Sequence, residues 1–463
     1  MIKISQTTRM WIVSIATISF VVVGTILLVA FAQGYSYDAR SKQIRTSGLV
    51  LINSSPDNAS IFLNNKDSDK HTPYRYTNAQ AGNLDIALTK PGYRNWVSRQ
   101  NVTAGEVTFA DYALLLPTTL YQQDTVQSQP YDQLLQTPDH NHTVAFNKTQ
   151  LALYTISENG ESKRFYQPTL EIDPQKQAIG ISELQLAEDG QRVVFQQKLL
   201  NGQVLTIVVH IDSGKIDNLS AEFGSVFSDI RFSKNDSAEL FWLELGVIKK
   251  IKINDRSISA GIVTLVSSYN VEPDRLLVVH SIVPPETSQQ LISYDLNGGS
   301  KKPVTSLIPD EKGFRISFIS SRYSEYMTVI HNTTGQLDLI KAPYNHPLIS
   351  DLGKDCLLVN ASRNGRFLVI DKSNKMQTID LEYSVHYNFD TSLDGLQDWS
   401  WLDDHHLILR RNSQLYIADF DGQNVQPLTV TSNVVGMSVQ PNNKTVLPLD
   451  SASKLYKLWL TKK

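Results

Sequence analysis

One turn-and-strand unit recurs along most of this chain, and it constrains the fold more than any other feature. A turn of the form small-Pro/x-Asp/Asn-x, followed by a hydrophobic strand, occurs at TPDHNHTVAF from Thr137, AEDGQRVVF from Ala187, SKNDSAELFW from Ser233 and EPDRLLVV from Glu272. It returns at SRNGRFLVI from Ser362, LDDHHLIL from Leu402 and QPNNKTVLP from Gln440, with a degenerate copy, SSRYSEYMTVI, from Ser320. The copies step by about forty to fifty residues, and each is followed by a second strand such as QVLTIVVHIDSG, QLISYDLNGG or QLYIADFDGQ. A period near 40–45 residues with several short strands per unit is the mark of a β-propeller. A four-stranded blade cannot bury both of its faces alone, so neighbouring blades stacked in a ring must supply the missing contact. Counting every copy predicts eight blades over 137–463, and dropping the copy at Ser320 gives seven.

Strand signals dominate the chain beyond Arg45. Leu205, Ile207, Val209 and Ile211 alternate with Thr206 and His210, as Ile251 and Ile253 alternate with Lys250 and Lys252. Period two turns one set toward a core and the other outward. No segment there reads as an amphipathic helix, so the fold class is an all-β ectodomain. Composition agrees: 41% of residues are hydrophobic, too many for a disordered chain. The formal net charge of -3 argues against a nucleic-acid partner, which calls for a basic surplus. A single Cys, Cys356, excludes an intramolecular disulfide framework and any multi-Cys zinc site, and reads as a small packing residue.

Ahead of the repeats lies a separate unit, 48–117. Its predicted strands are Gly48–Asn53, Ala59–Asn64, Leu84–Lys90 and Val107–Leu115, with turns at Ser55-Pro56-Asp57-Asn58, Thr72-Pro73 and Lys90-Pro91-Gly92-Tyr93. Pro presets φ for a turn, and Gly or Asn accepts positive φ. The order SSPDNASIFLNN, HTPYRYTNAQAGNLDIALTKPGYRNW, VTAGEVTFADYALLLP resembles a PEGA domain, although PDNA departs from the naming tetrapeptide at its two middle residues. The resemblance implies a small β-sandwich of prokaryotic surface proteins, structural or attaching, with no catalytic role to carry over. The turns AEDG and SRNG and the closure ADFDG resemble those of TolB-like propellers; the Trp-Asp and Gly-His marks of true WD repeats are missing. Residues 118–136, rich in Gln, read as a linker that lends one strand to the propeller.

The N-terminus supplies an address. Met10–Ala32 is an uncharged run of 23 residues, about 35 Å long as a helix against a bilayer core of about 30 Å. Trp11, Tyr35 and Tyr37 bracket it as interface anchors. Two readings stand: a transmembrane anchor over 10–32 behind a short cytoplasmic tail, 1–9, or a signal peptide cleaved after Ala32, with Lys3 and Arg9 as its basic region. The length of the run favours the anchor. Basic residues are nearly even on the two sides, so orientation is taken from the PEGA-like and propeller units: the tail inside, the bulk of the chain extracytoplasmic.

Candidate chemistry is sparse. Asp403-Asp404-His405-His406 resembles a metal-ligand run, but neighbours on a strand face opposite ways, so the structural reading is preferred. His140 and His142 stand two apart with no third ligand in view. Trp399 and Trp401 share a face and suit either a sugar platform or core packing, the latter preferred. No Gly-x-Ser-x-Gly elbow occurs. Asn-x-Ser/Thr sequons at Asn53, Asn101, Asn332 and Asn360 fall in turn-rich sequence and carry no claim. The sequence therefore assigns no catalytic, cofactor-binding or metal-ligating residue and no ligand. It predicts a membrane-anchored envelope protein that binds a protein or cell-wall polymer through its propeller. The alternative is a propeller glycosidase or lyase, which would gather several Asp, Glu or His side chains in one pocket.

Overall fold

The computed structural model describes residues 6–32, 35–38, 43–124, 130–169, 171–224, 227–322, 324–342, 347–349, 352–372, 375–389, 395–428 and 433–462. The chain divides into two compact units, Met1–Thr119 and Leu120–Lys463.

The first unit opens with the helix Gln6–Ala32. Its stretch Met10–Ala30 is 21 residues long, apolar enough to cross a membrane, and none of it is buried. The hydroxyls of Thr17 and Thr25 donate to the carbonyls of Val13 and Val21 at 2.9 and 2.8 Å. These bonds satisfy two polar groups within the helix itself, as an apolar surrounding demands. Two four-stranded sheets come next. In one, Gln43–Ser55 runs antiparallel to Tyr35–Asp38 and Tyr74–Gln80 and parallel to Val107–Leu114. The other orders Lys66–His71, Ser60–Leu63, Gly82–Thr89 and Trp96–Val102 as an antiparallel sheet. Lys66–His71, Tyr74–Gln80 and Trp96–Val102 escaped the sequence reading because few large apolar residues alternate along them. Val50 and Ile52 of one sheet and Ile61, Ile86 and Leu88 of the other are buried, and Trp96 meets Tyr112 edge-on at 5.6 Å. The turns of the motif also come together. Thr72 Oγ1 accepts from Ala59 N at 3.0 Å and lies 2.6 Å from Ser54 Oγ. Lys90 Nζ donates to the Asp57 and Asn58 carbonyls at 2.6 and 3.2 Å.

The second unit contains eight four-stranded antiparallel sheets in chain order, so the degenerate copy at Ser320 builds a full blade. Blades one to seven span 133–166, 178–218, 228–258, 266–307, 314–349, 356–388 and 396–428. Blade eight takes Val434–Val439, Thr445–Asp450 and Tyr456–Trp459 from the C-terminus and its outer strand, Tyr121–Asp124, from the other end of the unit. Residues 118–136, read from sequence as a linker lending one strand to the propeller, supply two, Tyr121–Asp124 and Gln133–Gln136. A short helix, Leu219–Phe223, capped by Asn218 Oδ1 on Ala221 N at 3.0 Å, and a single 3-10 turn, Pro174–Lys176, depart from the all-strand expectation among the described residues.

The repeated turn has a local cause. Asp139, Asp189, Asn364 and Asn442 accept, through side-chain oxygen, from the backbone N–H two residues on at 2.8–3.0 Å. This Asx arrangement explains why Asp or Asn recurs there. The next residue turns left-handed, with φ of 62° at His140, 68° at Gly190, 69° at Gly365 and 52° at Asn443. Strand pairs that leave the turn bury apolar side chains against the neighbouring blade. Val194 and Val208 of blade two share a cluster with Leu240, Trp242 and Ile251 of blade three. Leu277, Val279 and Leu291 of blade four pack with Phe314, Ile316 and Met327 of blade five.

Candidate functional site

Because paired strands alternate in direction, the turns between first and second strands of all blades lie at one end of the ring. A cavity of about 840 Å³ opens there, lined by residues of blades one to seven. Its floor and rim are charged, and the charges are paired. Glu272 heads the turn of blade four and is 1% exposed. Its carboxylate accepts from Asn270 Nδ2 at 2.7 Å and from Phe318 N of blade five at 3.2 Å, and is 2.8 Å from Lys234 Nζ of blade three. One carboxylate therefore ties three blades together. Lys234 also lies 3.5 Å from Glu188 of blade two. Burial pushes the Glu272 carboxyl above its usual range, with Lys234 opposing. Burial also works against the Lys234 charge, but Glu272 and Glu188 hold its ammonium above its usual value. On the rim, Arg275 pairs with Asp274 at 2.8 Å and Glu325 at 3.5 Å, and its guanidinium lies 4.9 Å from the Phe318 ring.

A second link joins blades one and six. Arg363 donates to His140 Nδ1, which requires that nitrogen to be unprotonated. Burial, then the Arg363 charge, holds His140 down at about 4, with Asp139 opposing. A histidine lowered in the folded state binds fewer protons than the unfolded chain between about 4 and 6.5. Its contribution is complete above about pH 6.5 and is lost as the pH falls through about 4. Urea titrations at pH 6.5 and pH 4 should show a loss assignable to this group, bounded at about 3 kcal/mol. His140→Asn, which suits the left-handed position, should flatten that difference; an equal pH response in the variant would place the loss elsewhere.

The motifs singled out in the sequence take structural places. Asp403 accepts from the backbone N–H of His405 and His406, both at 2.8 Å, and faces His406 Nδ1 at 2.8 Å. Burial opposes its charge, but His406 and these bonds bring Asp403 down to about 2. Asp404 Oδ1 accepts from Asn364 N of blade six at 3.0 Å, and His405 packs on Phe367 and Phe420. The run is a turn and a blade contact, and among the described residues no group of three His, Cys, Asp or Glu is placed to hold a metal ion. His140 is drawn to Arg363, whereas the His142 ring lies against Gly190 of blade two. Trp399 and Trp401 are buried; Trp399 Nε1 donates to Asp371 at 3.3 Å, and Trp401 lines the cavity wall. Cys356 is buried in the cluster between blades five and six. The sequence reading missed Glu188, Lys234, Glu272, Arg275 and Arg363. Their signal was positional: each lies in or directly after the repeated turn.

The PEGA domain model matches residues 47–115. No curated protein matches the chain at the sequence level. Among solved structures, the C-terminal WD40 domain of Sif2 is 11% identical, with a TM-score of 0.49, covering 74% of this chain and 99% of that one. A dipeptidyl peptidase 4 of Porphyromonas gingivalis is 12% identical at a TM-score of 0.47, over 71% of this chain and 56% of that one. An oligogalacturonate lyase in complex with manganese is 11% identical at 0.42, over 72% and 99%. Residues 47–115 are a PEGA domain, and the unit Leu120–Lys463 carries the blade topology of an eight-bladed β-propeller.

Proposed function

We propose that this chain is a membrane-anchored, extracytoplasmic binding protein of the prokaryotic cell envelope, which recognises a protein or a surface polymer through its propeller. The observation that carries the reading is the cavity of about 840 Å³, built from the turns of seven blades and lined by paired charges, amides and hydroxyls. Rigid scaffolds present function on such turns. The PEGA domain supports a surface location, and the apolar helix fits an anchor.

Four carboxylates and a histidine do share the cavity, which favours a glycosidase or lyase as the second reading. The pairing weighs against it. Glu272, whose raised carboxyl would suit a general acid, is enclosed by its partners and out of a substrate's reach. Asp274, Glu188 and Glu325 are accessible, but each sits beside Lys234 or Arg275.

Two measurements test the proposal. Protease added to intact cells should remove the propeller while the N-terminus stays with the membrane; protection until lysis would overturn the outside orientation, and a mature N-terminus at Gln33 would overturn the anchor. The purified full chain should co-sediment with isolated cell envelopes, and Asp274→Arg with Glu325→Arg should reduce that binding about tenfold. Unchanged binding would remove the cavity from recognition. Release of soluble sugar by the wild type, lost in Glu325→Gln, would establish the enzyme reading instead.

A further inference from the structure

Antiparallel pairing puts the hairpins between second and third strands at the end of the ring opposite the cavity. Such tips favour Asn, Gly, Asp or Ser. Blades seven and eight follow that rule with Asn412-Ser413 and Ser451-Ala452-Ser453, and blade five has Asn332 and Gly335; the hairpin of blade one, Lys148-Thr149-Gln150-Leu151, is polar apart from the buried Leu151. Blades two, three and four add exposed aliphatic residues, although the hairpin of blade two holds Asn201-Gly202 and that of blade three ends on Gly246. Leu200 and Val204 are exposed at the tip of blade two, Leu245 at that of blade three, and Ile282 and Val283 at that of blade four. Leu245 is 99% exposed, with φ of 52° ahead of Gly246 at 75°, in a turn whose geometry suits Asn-Gly. Leu265, exposed and also left-handed at φ 59°, joins the set. Val266 N donates to Gly246 O at 2.9 Å and Ser281 N to Leu265 O at 2.7 Å, so the segments bearing Leu245, Leu265 and Ile282 are neighbours. Glu244, the nearest carboxylate to the Leu245 tip in sequence, is paired with Lys249.

We propose that this face rests on a lipid bilayer through the aliphatic tips of blades two, three and four, which turns the cavity away from the membrane. The inference rests on the membrane-anchored reading. Three features select lipid over a protein partner. The tips project outward instead of forming a groove. They hold no Trp, Tyr or Arg, the residues that dominate protein interfaces, where Leu and Val are under-represented. The chain itself carries an apolar segment of 21 residues that fits a bilayer, so a lipid surface is the apolar phase at highest local concentration. Acidic and basic groups near the tips are mixed, so docking should respond little to salt or to lipid charge.

The test uses the full chain reconstituted into phosphatidylcholine vesicles. A polarity-sensitive fluorophore is placed at Leu245→Cys, at Leu200→Cys, or, as controls, at Asn412→Cys and Asp274→Cys; native Cys356 is buried and is spared. Brominated lipid should quench the probes at 245 and 200 at least threefold more than those at 412 and 274. Leu245→Asn with Ile282→Asn should cut quenching at 200 at least twofold while leaving the thermal midpoint unchanged or raised, because Asn suits the left-handed position of residue 245 and the Ile282 side chain is exposed. Equal quenching at all four sites, or no response to the double substitution, overturns the proposal. A probe at 245 that is shielded without lipid quenching, in proportion to protein concentration, assigns the face to a second copy and overturns it too. Flotation with the vesicles without quenching overturns this inference alone, and failure to float overturns the anchored reading with it.

Discussion

Replacing Tyr121–Asp124 with Gly-Ser-Gly-Ser is expected to lower the thermal midpoint of the propeller by roughly 8 °C, the largest effect anticipated for so short a segment. The strand is the outer edge of blade eight, pairing Tyr121, Gln122, Gln123 and Asp124 with Trp459, Leu458, Lys457 and Tyr456. Gly-Ser-Gly-Ser keeps the backbone groups but has poor strand propensity, so the ladder frays at a loss of about three hydrogen bonds of about 1 kcal/mol each, and the Tyr121–Trp459 ring contact at 4.9 Å, worth about 1 kcal/mol, is lost. The sum is about 4 kcal/mol, and a large unit shifts by roughly 2 °C per kcal/mol. Ring closure would then depend on the inner side, where Gln136 accepts from Val439 N at 3.0 Å and donates back to Val439 O, and Thr143 lies 2.8 Å from Ser438. Calorimetry should show the shift, and hydrogen exchange should show Tyr456–Trp459 losing protection before other blades. An unchanged midpoint would mean that these inner contacts close the ring unaided.

That strand also marks where sequence reading ran out. Seven or eight blades were legible because four of the turns share a local chemistry, an Asp or Asn that bonds its own backbone and a following residue in the left-handed region, and the others keep the turn-then-strand order. Even the copy at Ser320, which lacks both Asp and Gly, keeps its hairpin through Ser321 Oγ, which donates to the Ser324 carbonyl at 2.9 Å. Tyr121–Asp124 has no such signature. It is an edge strand with mostly exposed side chains, so no alternation betrays it, and its partner lies more than 330 residues away in sequence. The cavity was hidden for a related reason. Glu272 and Lys234 read as ordinary turn residues, and only the ring brings blade three beside blade four. Superposing the repeats supplies the missing signal. The first turn position is buried in Thr137, Ala187, Ser233, Ser362 and Leu402, so a Glu in that place is the one charged group forced inward. The exposed leucine at 245 conflicts with local preference in the opposite sense, as sites with a role outside the fold tend to do.

Two glycines with similar backbones should separate conformational cost from steric cost. Gly365 closes the turn of blade six at φ 69°, and a Cβ built there would sit 2.2 Å from the carbonyl oxygen of Ser320 and 2.8 Å from its carbon, at the end of blade five's inner strand. Gly202, at the blade-two hairpin, has φ 85° and nothing within 4 Å of its Cβ position. Alanine at either place adopts a left-handed conformation, at a cost of about 1–2 kcal/mol. At Gly365 the methyl also meets backbone, which cannot rotate aside, and overpacking of that kind adds about 1–3 kcal/mol. Gly365→Ala is therefore expected to destabilise by about 4 kcal/mol and Gly202→Ala by about 1 kcal/mol, measured by denaturant unfolding of the full chain. The larger loss should come with loosening between blades five and six, seen as faster exchange of the Ser320 and Phe367 amides, because Gly365 is where the turn of one blade is pressed onto the strand end of its neighbour. Equal losses at the two positions would show that the left-handed backbone alone sets the requirement for glycine. The ring would then tolerate a wider spacing at that seam than the 2.2 Å approach implies.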